Sequence, residues 1–338
     1  MKKRYVTLFS ILFVIAPFLA MLVCLGIGRY HLSVGETIEA IAAAVTGGEV
    51  EATVYSVLFK VRLPRLILSL FVGAGLAVAG TSFQSLFSNP LATPDTLGVA
   101  TGASFGAVLA LLLCDNIIVV QVMALVFGLL SLFITCMVSK MNGKSSIIMV
   151  VLSGMVVSSI FQALVSLVKY TADTEEKLPA ITYWLMGSMS RATAQSLLIG
   201  VPFIIVGIAI LFALRWRLNI LSLQEDEAKS LGINVKRLRL LVMVASTMVT
   251  ASCVSMCGQV GWVGLLVPHA ARKLIGTESR FLLPLCAIGG AGFVTACDLV
   301  SRLLFIPYEL PVGILMSVLG GPFFLGLLLK RKGGRIHA

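Results

Sequence analysis

Charge is what this sequence has least of. Aspartate, glutamate, lysine and arginine together make up 12% of its 338 residues, about half the share found in soluble domains. With 58% hydrophobic residues and a mean hydropathy of +1.03, the chain is excluded from the soluble globular class. Apolar runs approaching the roughly 20 residues that a helix needs to cross a bilayer recur along the whole length, separated by short polar breaks. The reading is an all-α integral membrane protein with a single transmembrane domain over residues 1–338.

Other absences narrow the function. The three histidines, His31, His269 and His337, are far apart, so no clustered metal ligands and no H-E-x-x-H motif exist. The seven cysteines show no C-x-x-C spacing and fall mostly in apolar runs, where they read as buried thiols. No nucleophile elbow is present. Gly143-Lys144-Ser145 is the nearest approach to a phosphate loop, but the first glycine of G-x-x-x-x-G-K-[ST] would fall on Val138. A dinucleotide-binding reading of the glycines at 73–80 fails because Val78 stands where the third glycine belongs. These gaps exclude an enzyme and predict no cofactor and no resident metal.

Acids are missing from the centres of the apolar runs. Proton- or sodium-coupled carriers keep ionisable groups near the bilayer midplane, whereas here each acid falls in a loop or near a helix end. The deepest, Asp298, stands four residues from Arg302, so the two can pair on one helix face. Without a coupling carboxylate, the energy for transport has to come from another chain. A secondary transporter or channel without an ATPase is the alternative.

What is present is a regular succession of apolar segments: 6–27, 63–87, 96–113, 118–139, 146–169, 196–214, 238–257, 261–275, 281–303 and 310–329. They predict ten helices, the eighth short. Met1-Lys2-Lys3-Arg4 resembles the start of a signal peptide, but the following run is too long for an h-region, and it is read as a retained first helix. The net charge of +11 reflects basic residues at loops and termini, as expected on cytoplasmic faces, and not a nucleic-acid surface. Basic ends and an even number of spans place both termini in the cytoplasm. Lys60, Arg62 and Arg65 fall on the opposite side and oppose that trend. Residues 28–60 support a loop with an amphipathic piece. Gly73/Ala77 and Gly75/Ala79 form small-xxx-small pairs that let helix backbones approach closely. Gly80, Gln84 and Asn89-Pro90 find a weak echo in Gly258-Gln259 and Pro268-His269, open to an inverted-repeat reading. In the loop 215–239, Glu225, Asp226 and Glu227 suit the first turn of a short helix that Gly232 would end.

An ordered set of motifs runs from about residue 60 to the C-terminus: Arg62-Leu63-Pro64-Arg65, Gly73-Ala74 through Gly80 with Gln84, Asn89-Pro90-Leu91-Ala92 with Pro94 and Leu97-Gly98. Ala228 with Leu231-Gly232 follows, then Gly261 to Gly264 with Val267-Pro268-His269 and Arg272. Asp298, Arg302, Glu309, Pro311-Val312-Gly313 and Gly320-Gly321-Pro322 complete it. Together they resemble the iron-siderophore, haem and cobalamin permease family of ABC importers. The resemblance implies the type II importer permease fold of about ten helices, in a homodimer or a dimer with a related paralogue. It also implies two copies of an ABC ATPase subunit, an extracytoplasmic substrate-binding protein, and a metal-chelate cargo such as a ferric siderophore.

The resemblance further assigns residues. Arg62, Arg65 and Arg302 match arginines that receive carboxylates from the binding protein, a task suited to the planar guanidinium; headgroup contact or an internal pair with Asp298 or Glu309 is the alternative. Residues 224–232 match the coupling helix seated in the ATPase, with Glu227, Ala228, Leu231 and Gly232 at the contact, against a plain solvated connector. Ser145, Ser146 and Ile147 fall where the family narrows the pathway on its cytoplasmic side. The fifth and tenth helices are expected to line the pathway with the small, weakly polar Ser153, Gly154, Ser158, Gly313 and Ser317. His269 lies in the family's Pro-His motif regardless of cargo and is not expected to ligate haem.

Overall fold

A computed structural model describes residues 32–114, 116–140, 147–222 and 233–333, together with Ile15, 23–26 and Tyr30. The described chain is all helix and turn, without a strand. Its helices are α1 (Val34–Thr46), α2 (Ala52–Leu86), α3 (Val99–Leu113), α4 (Ile117–Lys140) and α5 (Ile147–Thr171). They continue with α6 (Lys177–Leu185), α7 (Ala194–Leu218), α8 (Val235–Cys257), α9 (Val263–Ile275), α10 (Ser279–Leu303) and α11 (Val312–Gly333). Of these, α2, α4, α5, α7, α8 and α10 contain spans long and apolar enough to cross a membrane, and α3 and part of α11 are shorter apolar helices.

Nine of the ten expected spans are met by helices with shifted ends. The expected span 6–27 lies outside the described residues apart from Ile15 and 23–26. The eighth, α9, has 13 residues and is about 20 Å long, short of the roughly 30 Å hydrocarbon core. The amphipathic piece expected within 28–60 is met by a helix, α1, while the early start of α2 and the short α6 were not expected as such. α1 begins with a capping box, in which Ser33 Oγ accepts from the Glu36 N–H and Glu36 Oε2 accepts from the Ser33 N–H. α2 starts eleven residues before the expected 63, its early part passing through a π-helical turn, Ser56–Arg62. α6 has only nine residues with Pro179 among its first, too short and interrupted for its apolar pattern to stand out.

α2 and α8 are the most enclosed of the spanning helices, and α4, α5 and α7 turn most of their surface outward. α2 packs mainly on α10, α8 and α7, while α3 packs on α4 and α5. The α2–α10 crossing is a backbone contact: a Cβ added to Gly73 would overlap the Gly290 carbonyl, and one added to Gly290 would overlap the Gly73 carbonyl. A second close approach joins α2 to α9, where a Cβ on Gly80 would overlap the Gly264 carbonyl and Gln84 Nε2 donates to the same oxygen at 2.8 Å. The two segments of the proposed sequence echo thus touch each other.

Between the helices lies a junction of irregular backbone. Ser188 N–H donates to Cys257 O at 2.8 Å and Gly313 N–H to Gly187 O at 3.1 Å, so the chain breaks after α6, after α8 and before α11 satisfy one another, as backbone away from water requires. Gly187 and Gly258 adopt φ of 73° and 72°, a left-handed conformation that glycine takes without strain.

A branched side chain at the α2–α10 crossing has nowhere to go. Gly73→Val is expected to lower stability by about 3 kcal/mol or more, whereas Gly321→Ala, which meets nothing within 4 Å, stays within about 0.5 kcal/mol. Thermal unfolding of the detergent-purified chain measures both.

Candidate functional site

Two constellations stand out, one ionic and one concave. At the start of α2, Pro64 in the first regular turn fits the helix geometry after the π-helical segment, and the turn places Arg62 and Arg65 toward the protein. Arg65 Nε donates to Asp298 Oδ1 and Oδ2 at 3.1 and 3.0 Å, Nη2 to Oδ1 at 3.0 Å, and Nη1 to Glu309 Oε2 at 2.7 Å. Asp298 also lies 3.3 Å from Arg302 Nε, one helical turn away on α10. Arg62 donates to the carbonyls of Leu25, Tyr30 and, at 3.0 Å, Gly26.

All three arginines expected at a docking surface make contacts inside the chain: Arg65 and Arg302 with carboxylates, and Arg62 with backbone carbonyls only. The Asp298 side chain is 2% exposed and that of Glu309 is 28% exposed, so Glu309 is the carboxylate that solvent reaches. Three guanidinium groups against two carboxylates leave the cluster formally positive. A buried pair of this kind gains little over apolar packing, but losing one partner strands a desolvated charge.

The concave site is a cavity of about 690 Å³ bounded by the 93–95 connection, α3, the end of α6, α8, residues 259–264 and the start of α11. Its polar wall comprises Thr93, Asp95, Thr101, Thr250, Gln259 and Ser317, and its apolar wall includes Leu76, Met186, Trp262 and Val318. Gln259 is positioned by the break after α8 and by its own hydrogen bond, Nε2 donating to Ser104 Oγ at 2.8 Å. A shallower hollow of about 500 Å³ shares Thr101 and is lined by Ser158, Ser159, Gln162, Ala163 and Ser166 of α5.

Of the residues expected in the pathway, Gly313 and Ser317 line the larger cavity and Ser158 the smaller. Ser153 is 4% exposed, and a Cβ on Gly154 would overlap Thr96 O, so Gly154 lets α5 approach the turn Pro94–Leu97. Ser145, Ser146, Glu227, Ala228, Leu231 and Gly232 lie outside the described residues, while Ile147 begins α5. His269 stands edge-on to Phe323 with ring centroids 6.0 Å apart, and no group of three or more metal-ligating side chains occurs among the described residues. Asp95, Thr101, Thr250, Gln259 and Trp262 were not anticipated at this site. Asp95 carried the one usable signal, an acid between Pro94 and the next helix with no base near it in sequence.

The model of the FecCD transport family matches residues 14–330. The chain belongs to the FecCD transport family. It is 41% identical to the molybdate import system permease protein MolB of Haemophilus influenzae, over 93% of both chains. Identity to the cobalamin import system permease protein BtuC of Halobacterium salinarum is 37%, over 84% of this chain and 76% of that one. A solved structure described as an inward-facing metal-chelate type ABC transporter superposes with a TM-score of 0.85, at 38% identity, over 95% of this chain and 99% of the other. Family membership makes this chain a multi-pass permease component of an ABC transporter and not an enzyme, ATP hydrolysis belonging to a separate subunit.

Removing one member of the ionic cluster should cost more than removing two. Arg65→Met is expected to destabilise the chain by about 3–5 kcal/mol, and the Arg65→Met/Asp298→Asn double variant to recover a large part of that loss. A double-mutant cycle on denaturation in detergent measures the coupling; additivity would mean the pair is not coupled.

Proposed function

We propose that this chain forms the membrane pathway of a metal-chelate importer, as a homodimer or a dimer with a related paralogue, served by two ATPase subunits and an extracytoplasmic binding protein. The observation that carries this reading is a polar stripe on α5. Ser159, Gln162 and Ser166 are exposed on the chain and recur at i, i+3 and i+7, on one helix face. That helix has a mean hydropathy of 2.2 across its span. Ser159 and Ser166 satisfy their hydroxyls on the carbonyls of Met155 and Gln162, but the Gln162 amide is costly against lipid and favours a protein interior or a water-filled cavity, so this face turns toward a pathway or second subunit. The cavity bearing Gly313 and Ser317 borders the same region through the shared Thr101.

Ferric siderophore is the cargo we favour, with haem- and cobalamin-type ligands in the same class; molybdate is the name that one relative carries and belongs to that protein. The cluster of Arg62, Arg65 and Arg302 would face the binding protein and engage it by exchange, a carboxylate of the partner replacing Glu309 on Arg65 Nη1. Residues 224–232 would be the coupling helix, with Glu227, Ala228, Leu231 and Gly232 against the ATPase and Ser145, Ser146 and Ile147 at the cytoplasmic narrowing. Both termini would then be cytoplasmic. Every step assigned to this chain is conformational or electrostatic: it receives, conducts and releases.

ATP-driven uptake in proteoliposomes containing this chain, its genomically adjacent ATPase and its binding protein tests the reading, with ferric siderophore, haem and cobalamin offered in parallel. One cargo should accumulate. Arg302→Glu should weaken binding-protein docking about tenfold without loss of the permease–ATPase complex, and a Gly/Ser linker in place of 224–232 should leave ATP hydrolysis uncoupled from uptake. Uptake that persists without ATP would overturn the reading in favour of a secondary carrier.

The α5 stripe has its own test in a variant lacking the native cysteines. Ser166→Cys should react with a membrane-impermeant thiol reagent at least ten times faster than Leu198→Cys, which lies on an exposed apolar face of α7. Equal rates would mean that the stripe faces lipid.

A further inference from the structure

Asp95 is an unpaired carboxylate on the wall of the larger cavity. It lies in the turn Pro94–Leu97, which joins α2 to α3, and its side chain is exposed to the cavity. Its carboxylate has no hydrogen bond or ion pair to any described residue, and no other titratable side chain lines the cavity among them. A second group there is also unsatisfied: Thr250 on α8 is 3% exposed and its Oγ1 has no partner. Buried polar atoms are nearly always paired, so an orphaned hydroxyl on the same cavity wall as a free carboxylate marks space that something polar enters.

The wall's one formal charge among the described residues is the Asp95 carboxylate. One Gln259 amide N–H is engaged by Ser104, and the hydroxyls of Thr101 and Ser317 donate to the carbonyls of Gly98 and Gly313. The oxygens of Thr101 and Ser317 therefore offer lone pairs alongside the carboxylate, and the Thr250 hydroxyl remains as a donor. A volume of about 690 Å³ lies within the range of roughly 300–1,000 Å³ for drug-sized ligands; a tetrahedral oxyanion would leave most of it to water.

We propose that this cavity is a transient cargo site with Asp95 as its specificity-determining residue. It takes metal chelates whose outer surface is neutral or cationic and carries N–H or O–H donors, and it disfavours bare oxyanions. The inference rests on the importer reading and adds to it the sign of the cargo's charge. Desolvation by the surrounding protein pushes the Asp95 carboxyl from its ordinary 3.8 up to about 6, so at neutral pH it is mostly ionised. Between those two values the folded chain holds a proton that the unfolded chain has lost, and stability therefore falls as pH rises through that window. An approaching cation or donor offsets this cost.

The test uses the full permease–ATPase complex in lipid nanodiscs, with uptake in parallel. The probes are a cationic ferric trihydroxamate, ferric citrate and molybdate, and the binding signal is the quenching of Trp262, identified by its loss in Trp262→Phe. The trihydroxamate should bind at least tenfold more tightly than either anion. Asp95→Asn should weaken its binding and uptake five- to tenfold and flatten the loss of stability between pH 4 and 6, and Asp95→Lys should reverse the charge preference. Asp95→Asn within twofold of the parent in binding and uptake would overturn the proposal, as would molybdate binding equal to that of the chelate. Charge-selective binding without uptake of any probe would sink the importer reading and leave the site standing.

Discussion

The crossing of α2 and α10 is the contact on which the rest of this architecture depends. In hydrocarbon, helices gain nothing by hiding apolar surface from lipid, so they associate through close packing and polar contacts. Gly73 and Gly290 bring the two backbones together. One turn along, the approach is close enough for Ser69 Oγ and Thr295 Oγ1 to hydrogen-bond at 3.0 Å. One turn further, Arg65 meets Asp298. The three contacts form a ladder on antiparallel helices, graded from backbone to hydroxyl to ion pair. The hydroxyl pair depends on the glycines, because a side chain at the crossing would hold Ser69 and Thr295 too far apart to bond.

The cavity follows from a different device. Helices that stop inside the structure leave backbone groups to satisfy, and here the breaks after α6, after α8 and before α11 satisfy one another. That mutual bonding fixes Met186, Gln259 and Gly313 at one level, where they form part of the cavity wall. On the opposite side, the turn Pro94–Leu97 is held by Ser131 and Thr135 of α4, both donating to Leu97 O at 3.1 Å. The site is thus built from loop and helix-end backbone supported by regular helices, an arrangement suited to a surface that contacts a ligand without itself being rigid throughout.

Much of this was legible in the sequence, and what was not shares one cause. Apolar run length gave the long helices, because crossing or filling a hydrophobic layer demands it. Glycine spacing at 73–80 announced a close approach but not its partner, since Gly290 lies more than 200 residues away. Asp298 and Arg302 were readable as a pair because one helical turn separates them; a pairing of Arg65 with Asp298 and Glu309 stood only as an alternative, since helix packing alone brings them together. The same holds for Gly154, whose close approach to the turn Pro94–Leu97 only the packed helices reveal. Short helices such as α6 carry too few residues for a period to show. The resemblance to a permease family supplied what local reading lacked, namely which of many small polar residues belong together. It did not supply Asp95, whose isolation is visible only when the walls around it are known.

α11 is attached to the rest of the chain more by side chains than by backbone. Its backbone approaches mainly α10, its start is held through the Gly313 N–H, and Phe323 and Phe324 rest against the rings of His269 and Trp262, while Leu319 and Leu325 face outward. α2 and α10, by contrast, are stitched along their length. The molecule thus has a frame, the stitched pair, and a leaf held at its start by backbone and further along by aromatic rings. Since that leaf carries Gly313 and Ser317 on its inner side, a displacement of α11 by a few ångströms alters the width of the cavity without disturbing a single rung of the ladder.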